Sequence, residues 1–246
     1  MCYDNPMSRP SAATPAAQNP DERDKIARLF ACLVNFQSEG VFNQYRDVDA
    51  DLDLPHGAAI RRANLRRYLE LFAAAAYVLV GEAAGYAGCR FSGLPFTGEA
   101  QIVGPDCLPW ACPNGPTGSP RRPDEGARDA GFAQSSVGEP WRERSGTIVW
   151  QALGQRRDCV LWNAFPWHPH GAESLSNRQP RRAEMAQARE VLTCFLSLFP
   201  GAQIYAIGRV SQRALREIGV EAAYIRHPSH GGKTAFVKGI ASLAIR

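Results

Sequence analysis

What this 246-residue chain lacks removes several classes of protein at once. Its 7 cysteines, at 2, 32, 89, 107, 112, 159 and 194, contain no C-x-x-C pair. That argues against a zinc ribbon and a disulfide framework, and reduced thiols are the expectation. No apolar run approaches the roughly 20 residues of a membrane span; the longest, Leu71 to Val80, has ten. Met1 to Pro20 has neither a basic start nor an apolar core, so no signal peptide is expected, and a cytoplasmic location with no membrane partner follows. No internal repeat is visible, and no segment fits G-x-G-x-x-G or a Walker loop.

What remains is an ordinary globular composition, 45% hydrophobic and 21% charged, at a length that one α/β domain can use up. The Pro- and Ala-rich stretch of residues 1–20 is expected to be a disordered tail, and residues 21–246 a single domain. Only 3 of the 28 basic residues are lysines. Residues 1–57 hold 5 basic and 9 acidic side chains, which leaves 23 basic against 15 acidic in the body and points, weakly, to an anionic partner.

Ile26, Leu29, Phe30 and Leu33 recur at helical spacing, as do Ile60, Leu65, Leu69, Phe72 and Ala76, with Arg61, Arg62, Arg66 and Arg67 read as a solvated face. Arg46 to Pro55 reads as an acidic loop. Four apolar runs rich in β-branched and aromatic residues read as buried strands: Tyr77–Val80, Cys159–Trp162, Gln203–Ile207 and Ala223–Ile225. One helix over Glu184–Phe199 and another with Ser211 as N-cap separate the last three, which implies a parallel sheet. The fold class is therefore α/β, a central four-stranded parallel sheet flanked by helices. A Gly-, Pro- and Arg-crowded segment at about 105–145 is too long for a normal connection.

Ligands of open parallel sheets bind beyond the carboxyl ends of the strands. The first strand runs into Gly81-Glu82-Ala83-Ala84-Gly85, the second into Asn163 and a proline-held aromatic loop, the fourth into His227-Pro228-Ser229-His230-Gly231-Gly232-Lys233. G-E-A-x-G, an Asn closing the second strand and H-P-S after the fourth resemble the uracil-DNA glycosylase superfamily, strongest in the branch that carries GEAPG. The resemblance covers roughly residues 58 to 240, including Asn177-Arg178-Gln179-Pro180.

It implies hydrolysis of the N-glycosidic bond of uracil, and of other deaminated bases, flipped out of DNA. It also implies a base-reading amide at Asn163, a histidine at His227 that hydrogen-bonds the base as charge develops, and a stacking aromatic at Phe96. Gly81, Ala83 and Gly85 would line the base pocket, and Ser229, His230, Gly231, Lys233 and Arg178 would meet the DNA. The sequence departs from the pattern at Ala83, where the best-known branch has a water-positioning aspartate, so that role is assigned to Glu82. It departs again at Gly85, where that branch has a thymine-excluding tyrosine, and at Gly231, where it has a leucine that fills the emptied stack. The cysteines lack the spacing of the iron-sulfur members, so no metal, cluster or cofactor is expected; nor is any partner beyond damaged DNA, and the chain is expected to be a monomer. A non-catalytic binder of damaged or abasic DNA is the alternative that Ala83 keeps open.

Overall fold

The computed structural model describes residues 20–102, 107–111 and 140–244, so the expected tail up to residue 19, most of the expected loop at 105–145, Cys2 and Cys112 lie outside the described residues, and Pro20, expected in the tail, opens the first helix. Helix α1 spans Pro20–Asn35 and buries the four residues whose spacing predicts it. A short strand β1 (Val41–Phe42) and helix α2 (Gly57–Leu71) lead to strand β2 (Tyr77–Ala83). Helices α3 (Cys89–Ser92) and α4 (Arg144–Leu153) precede strand β3 (Cys159–Phe165) and the short strand β4 (His168–Pro169). Then come α5 (Arg182–Gln187), α6 (Arg189–Leu196), β5 (Gln203–Ile207), α7 (Arg209–Glu217), β6 (Ala223–Ile225) and α8 (Lys233–Ala241).

The main sheet is parallel, in the order β3-β2-β5-β6, and β1 pairs antiparallel with β4. The chain leaves β2 toward β3 on one side, then returns across β2 to β5. Right-handed crossovers therefore send the connections to opposite faces, and a crevice opens at the carboxyl end of β2. β3 is an edge strand, and Tyr68 of α2 covers it: its hydroxyl accepts the Leu161 N–H at 2.7 Å and lies 3.3 Å from the Leu161 carbonyl. A side chain thus takes the place of a fifth strand, which protects an edge that would otherwise be free to pair.

Several local features differ from the sequence reading. β2 and β3 each run three residues farther, because Gly81 pairs with Asn163 and Ala83 with Phe165. The Glu184–Phe199 helix is two helices that meet at Ala188. α7 begins a turn earlier than a Ser211 cap would allow, after Gly208 at φ 92, and the Ser211 hydroxyl instead donates back to the Ile207 carbonyl at 2.9 Å. Arg61 is not solvated. With Arg90 of α3 it is fully buried against Asp53, Asp49 adding a 2.9 Å contact to Arg90, and the acidic 46–55 stretch is thereby tied to the domain. Cys32, Cys89, Cys159 and Cys194 are free thiols, whereas Cys107 is disulfide-bonded, against the expectation of reduced cysteines throughout. Among the described residues no helix is long and apolar enough to cross a membrane.

Candidate active site at the carboxyl end of the sheet

The ends of β2 and β6 and the loops before α4 and α5 enclose a cavity of about 460 Å³. Its lining includes Glu82, Ala83 and Gly85 from β2 and its turn, Phe96, Glu143, Asn177, His227 and Ser229. Sheet geometry decides what each can offer. Side chains alternate along a strand, so Gly81 and Ala83 share one face of β2 and Glu82 takes the other. Burial raises the Glu82 carboxyl above its ordinary range, and the charge of Arg213 on α7 draws it part of the way back.

Gly81 is glycine for a steric reason. A Cβ there would overlap the edge of the Phe96 ring and stand 3.0 Å from Asn163 Oδ1. Phe96 itself is held at φ 54, a conformation that costs a non-glycine residue about 1–3 kcal/mol and persists only where neighbours enforce it. The enforcement comes from α4: Trp150 donates its indole N–H to the Phe96 carbonyl at 3.1 Å, and Gly146 leaves room for that carbonyl. The result is a buried aromatic at the cavity wall, its centroid 6.4 Å from that of His227, beside Asn163, which is 3% exposed and sits behind the lining rather than in it.

His227 leaves β6 into a tight loop. Gly208, at φ 92, brings its backbone close to the His227 side chain, and a Cβ at Gly232 would collide with the His227 carbonyl. The Ser229 backbone N–H donates to His227 Nδ1 at 3.2 Å, and the Ser229 hydroxyl lies 2.7 Å from the same nitrogen. An Nδ1 that accepts a backbone N–H carries no proton, so the neutral ring keeps its proton on Nε2. Burial, reinforced by the charges of Arg226 and His230, lowers the imidazole to about 4, so it is a neutral N–H donor at pH 7.

The remaining expected residues separate into two groups. His230, at φ 50, and Gly231, at φ 75, form the exposed tip of the loop after His227, with exposed Lys233 opening α8. Arg178 lines the cavity but spends its N–H groups on the carbonyls of His170, Gln179 and Gly40 and on both oxygens of Glu184. A guanidinium has five N–H groups, so none remains for a phosphate, and Arg178 is a brace between the 36–43 and 169–184 segments. Among the described residues, a Cβ at Gly85 would meet only Asn177 Oδ1, at 3.9 Å.

Two further cavity residues stand out, Asn177, which the sequence reading names without a role, and Glu143, which it misses. Asn177 accepts the Tyr86 N–H at 3.0 Å and so fixes the turn after β2. Glu143, just before α4, carries a carboxyl that burial pushes up to about 7. Neither belongs to a short motif at a strand end, so no local sequence signal marks either as a site residue. His168, by contrast, is structural, its ring nitrogens lying 3.2 Å and 3.0 Å from the Ala84 and Ser174 carbonyls. Among the described residues the group with metal-ligand spacing is Cys32, Glu190 and Cys194, none of which lines this cavity.

The family model described as Uracil DNA glycosylase superfamily matches residues 69–238. Among solved structures, the chain is similar to the crystal structure of wild-type Pedobacter heparinus SMUG2, with a TM-score of 0.53 at 12% identity over 89% of this chain and 96% of that one. No curated protein sequence matches. At that identity the structural likeness shows the fold. The family match spans more than half of the chain and takes in β2, Phe96, Asn163 and His227 with it: the chain belongs to the uracil-DNA glycosylase superfamily.

Proposed function

We propose that the protein is a monofunctional glycosylase that hydrolyses the N-glycosidic bond of uracil, and of other deaminated bases, flipped out of DNA, leaving an abasic site. The observation that carries this reading is the His227 ring beside Phe96, neutral and with its proton directed to Nε2 by Ser229. As the bond to the base breaks, its electron pair moves onto the base, and a fixed neutral N–H donor meets the developing oxyanion without reorganisation. The Asn163 amide presents an N–H donor beside a carbonyl acceptor, a pattern that separates uracil from cytosine at N3 and O4. Phe96 supplies the stacking face. His230, at the exposed loop tip beside Gly231, would occupy the stack a flipped base vacates, and Ser229 and Lys233 would meet phosphates.

Strand cleavage by β-elimination needs an amine nucleophile, and Lys233 is the one lysine in the motif segments. The test is an oligonucleotide with a single uracil, incubated with the protein and then split into samples with and without alkali. Cleavage only after alkali, undiminished by EDTA, is the expected result. Retention of the DNA on a gel with no alkali-labile product identifies the non-catalytic binder instead.

A further inference from the structure

The water that attacks must lose a proton, and among the described residues the cavity is lined by two carboxylates, Glu82 and Glu143. Glu82 takes the face of β2 opposite Gly81 and Ala83 and feels Arg213. Glu143 comes from a different part of the chain. Its carboxyl lies against the turn that follows β2, and any Cβ at Gly88 would collide with it. The backbone there is equally close, since a Cβ at Gly98 would stand 2.8 Å from the Glu143 nitrogen and 2.9 Å from the Ala87 carbonyl. The Ser145 hydroxyl donates to Oε1 at 2.9 Å, and Oε2 is buried with no hydrogen-bond partner among the described residues.

We propose that Glu143 is the general base of the reaction, taking the proton from the water that attacks the deoxyribose. The proposal rests on the glycosylase reading. Water oxygen bonds to C1′ as the C1′–N bond breaks and its electron pair leaves on the base. The water proton passes to the Glu143 carboxylate and from there to the departing base anion, so the products are the free base and an abasic sugar. No oxidant or co-reactant is required.

The electrostatics fit the task. A general base works best with a pKa near the operating pH, and burial brings this carboxyl to about 7 against the opposing hydrogen bond from Ser145. Among the described residues, the charged and titratable groups around it are Arg142 and Arg144 on its own segment, Tyr86 of the turn after β2, Cys89 of α3, Arg178 before α5, Glu82 of β2 and His227 after β6. His227, at about 4, titrates well apart from it.

The experiment is single-turnover excision of uracil from the oligonucleotide between pH 5 and 9, with wild type, E143Q, E143A and E82Q. Wild type is expected to lose rate on the acid side with an inflection near pH 7. E143Q should be at least about 100-fold slower at pH 8, the usual scale for general-base removal, with no inflection near 7. E82Q should keep the inflection. Sodium formate, a carboxylate small enough for the space left in E143A, should raise that variant's rate at least about tenfold. A wild-type rate in E143Q, an inflection that persists near 7 in E143Q, or slow variants that formate fails to restore would each overturn the assignment. Wild type that releases no uracil fails the glycosylase reading itself, which distinguishes the two failures.

Discussion

The Ser229 backbone N–H points at His227 Nδ1 from 3.2 Å, so the main chain, and not a second ionisable group, selects the tautomer of the ring that faces the cavity. The two layers of this arrangement predict unequal losses. His227→Ala removes a preorganised donor and should slow excision at least about 100-fold, as should Asn163→Ala, with DNA binding retained in both. Ser229→Ala keeps the backbone N–H and removes only the hydroxyl, one neutral hydrogen bond of about 1 kcal/mol, so a loss of about fivefold is expected. Single-turnover rates of the three variants check the order, and equal losses for S229A and H227A would move the control of the tautomer from the backbone to the hydroxyl.

Gly81 is where the ring edge of Phe96 rests, and a methyl group there has nowhere to go. Gly81→Ala should displace Phe96, cost about 1–3 kcal/mol by overpacking, and lower excision at least about tenfold while the chain stays folded. Urea denaturation and the excision rate, measured on the same preparation, separate the two effects.

Much of this architecture is legible in the sequence because it rests on local pattern. The β-branched and aromatic runs at Tyr77–Val80 and Cys159–Trp162 identify the strands, and the motif residues at their ends mark the crevice. The final three residues of β2 are not legible, since Gly81, Glu82 and Ala83 have little strand preference and are extended only because β3 pairs with them. Arg61 reads as surface because its partner Asp53 lies outside its helix, and no spacing rule connects the two. Ala188 separates α5 from α6 without a glycine or proline to announce it. Glu143 belongs to no strand end or recognisable motif, and its burial against Gly88 arises only when the turn after β2 and the start of α4 come together.

The pair Arg61 and Arg90 on Asp53 should be costly to break, since all three side chains are fully buried. Asp53→Asn removes the carboxylate the two guanidiniums share and leaves Arg90 with Asp49 and Glu99 and Arg61 with the Gln44 and Asp47 carbonyls, so a loss of about 3–5 kcal/mol is expected, the scale for a buried charge left uncompensated. Equilibrium urea denaturation at pH 7 measures it, and a loss under about 1 kcal/mol would show that water reaches the cluster.

Burial holds both His168 and His227 near 4, below the 6.5 of an unfolded histidine. The unfolded chain therefore binds protons first, so the contribution of these rings is complete above about pH 6.5 and drains away as the pH falls toward 4. At pH 5 each ring should cost about 2 kcal/mol relative to pH 7. Glu143, raised to about 7, acts in the opposite sense, its contribution lost as the pH rises through 7. The comparison that isolates the histidine effect is wild type against H168Q: the variant should lose about 2 kcal/mol less between pH 7 and 5, and parallel losses would mean that His168 is already protonated in the folded state.

The breadth of base recognition turns on Gly85. Among the described residues a Cβ there would meet only Asn177 Oδ1, at 3.9 Å, so these residues leave the wall of the 460 Å³ cavity open at the position where a bulky residue would crowd a substituted base. Wild type is therefore expected to release 5-substituted uracils such as 5-hydroxymethyluracil at rates within about tenfold of uracil, since no steric term opposes the extra group. Gly85→Tyr fills the opening. It should leave uracil excision within about tenfold while slowing the 5-substituted base by about 10–200-fold, the range that one additional carbon commands in a fitted pocket. Parallel single-turnover rates on the two oligonucleotides, with each enzyme, give the ratio directly. A wild-type enzyme that already rejects the 5-substituted base, with a ratio that G85Y leaves unchanged, would place the gate at another wall of the cavity, where Tyr86 and Asn177 stand.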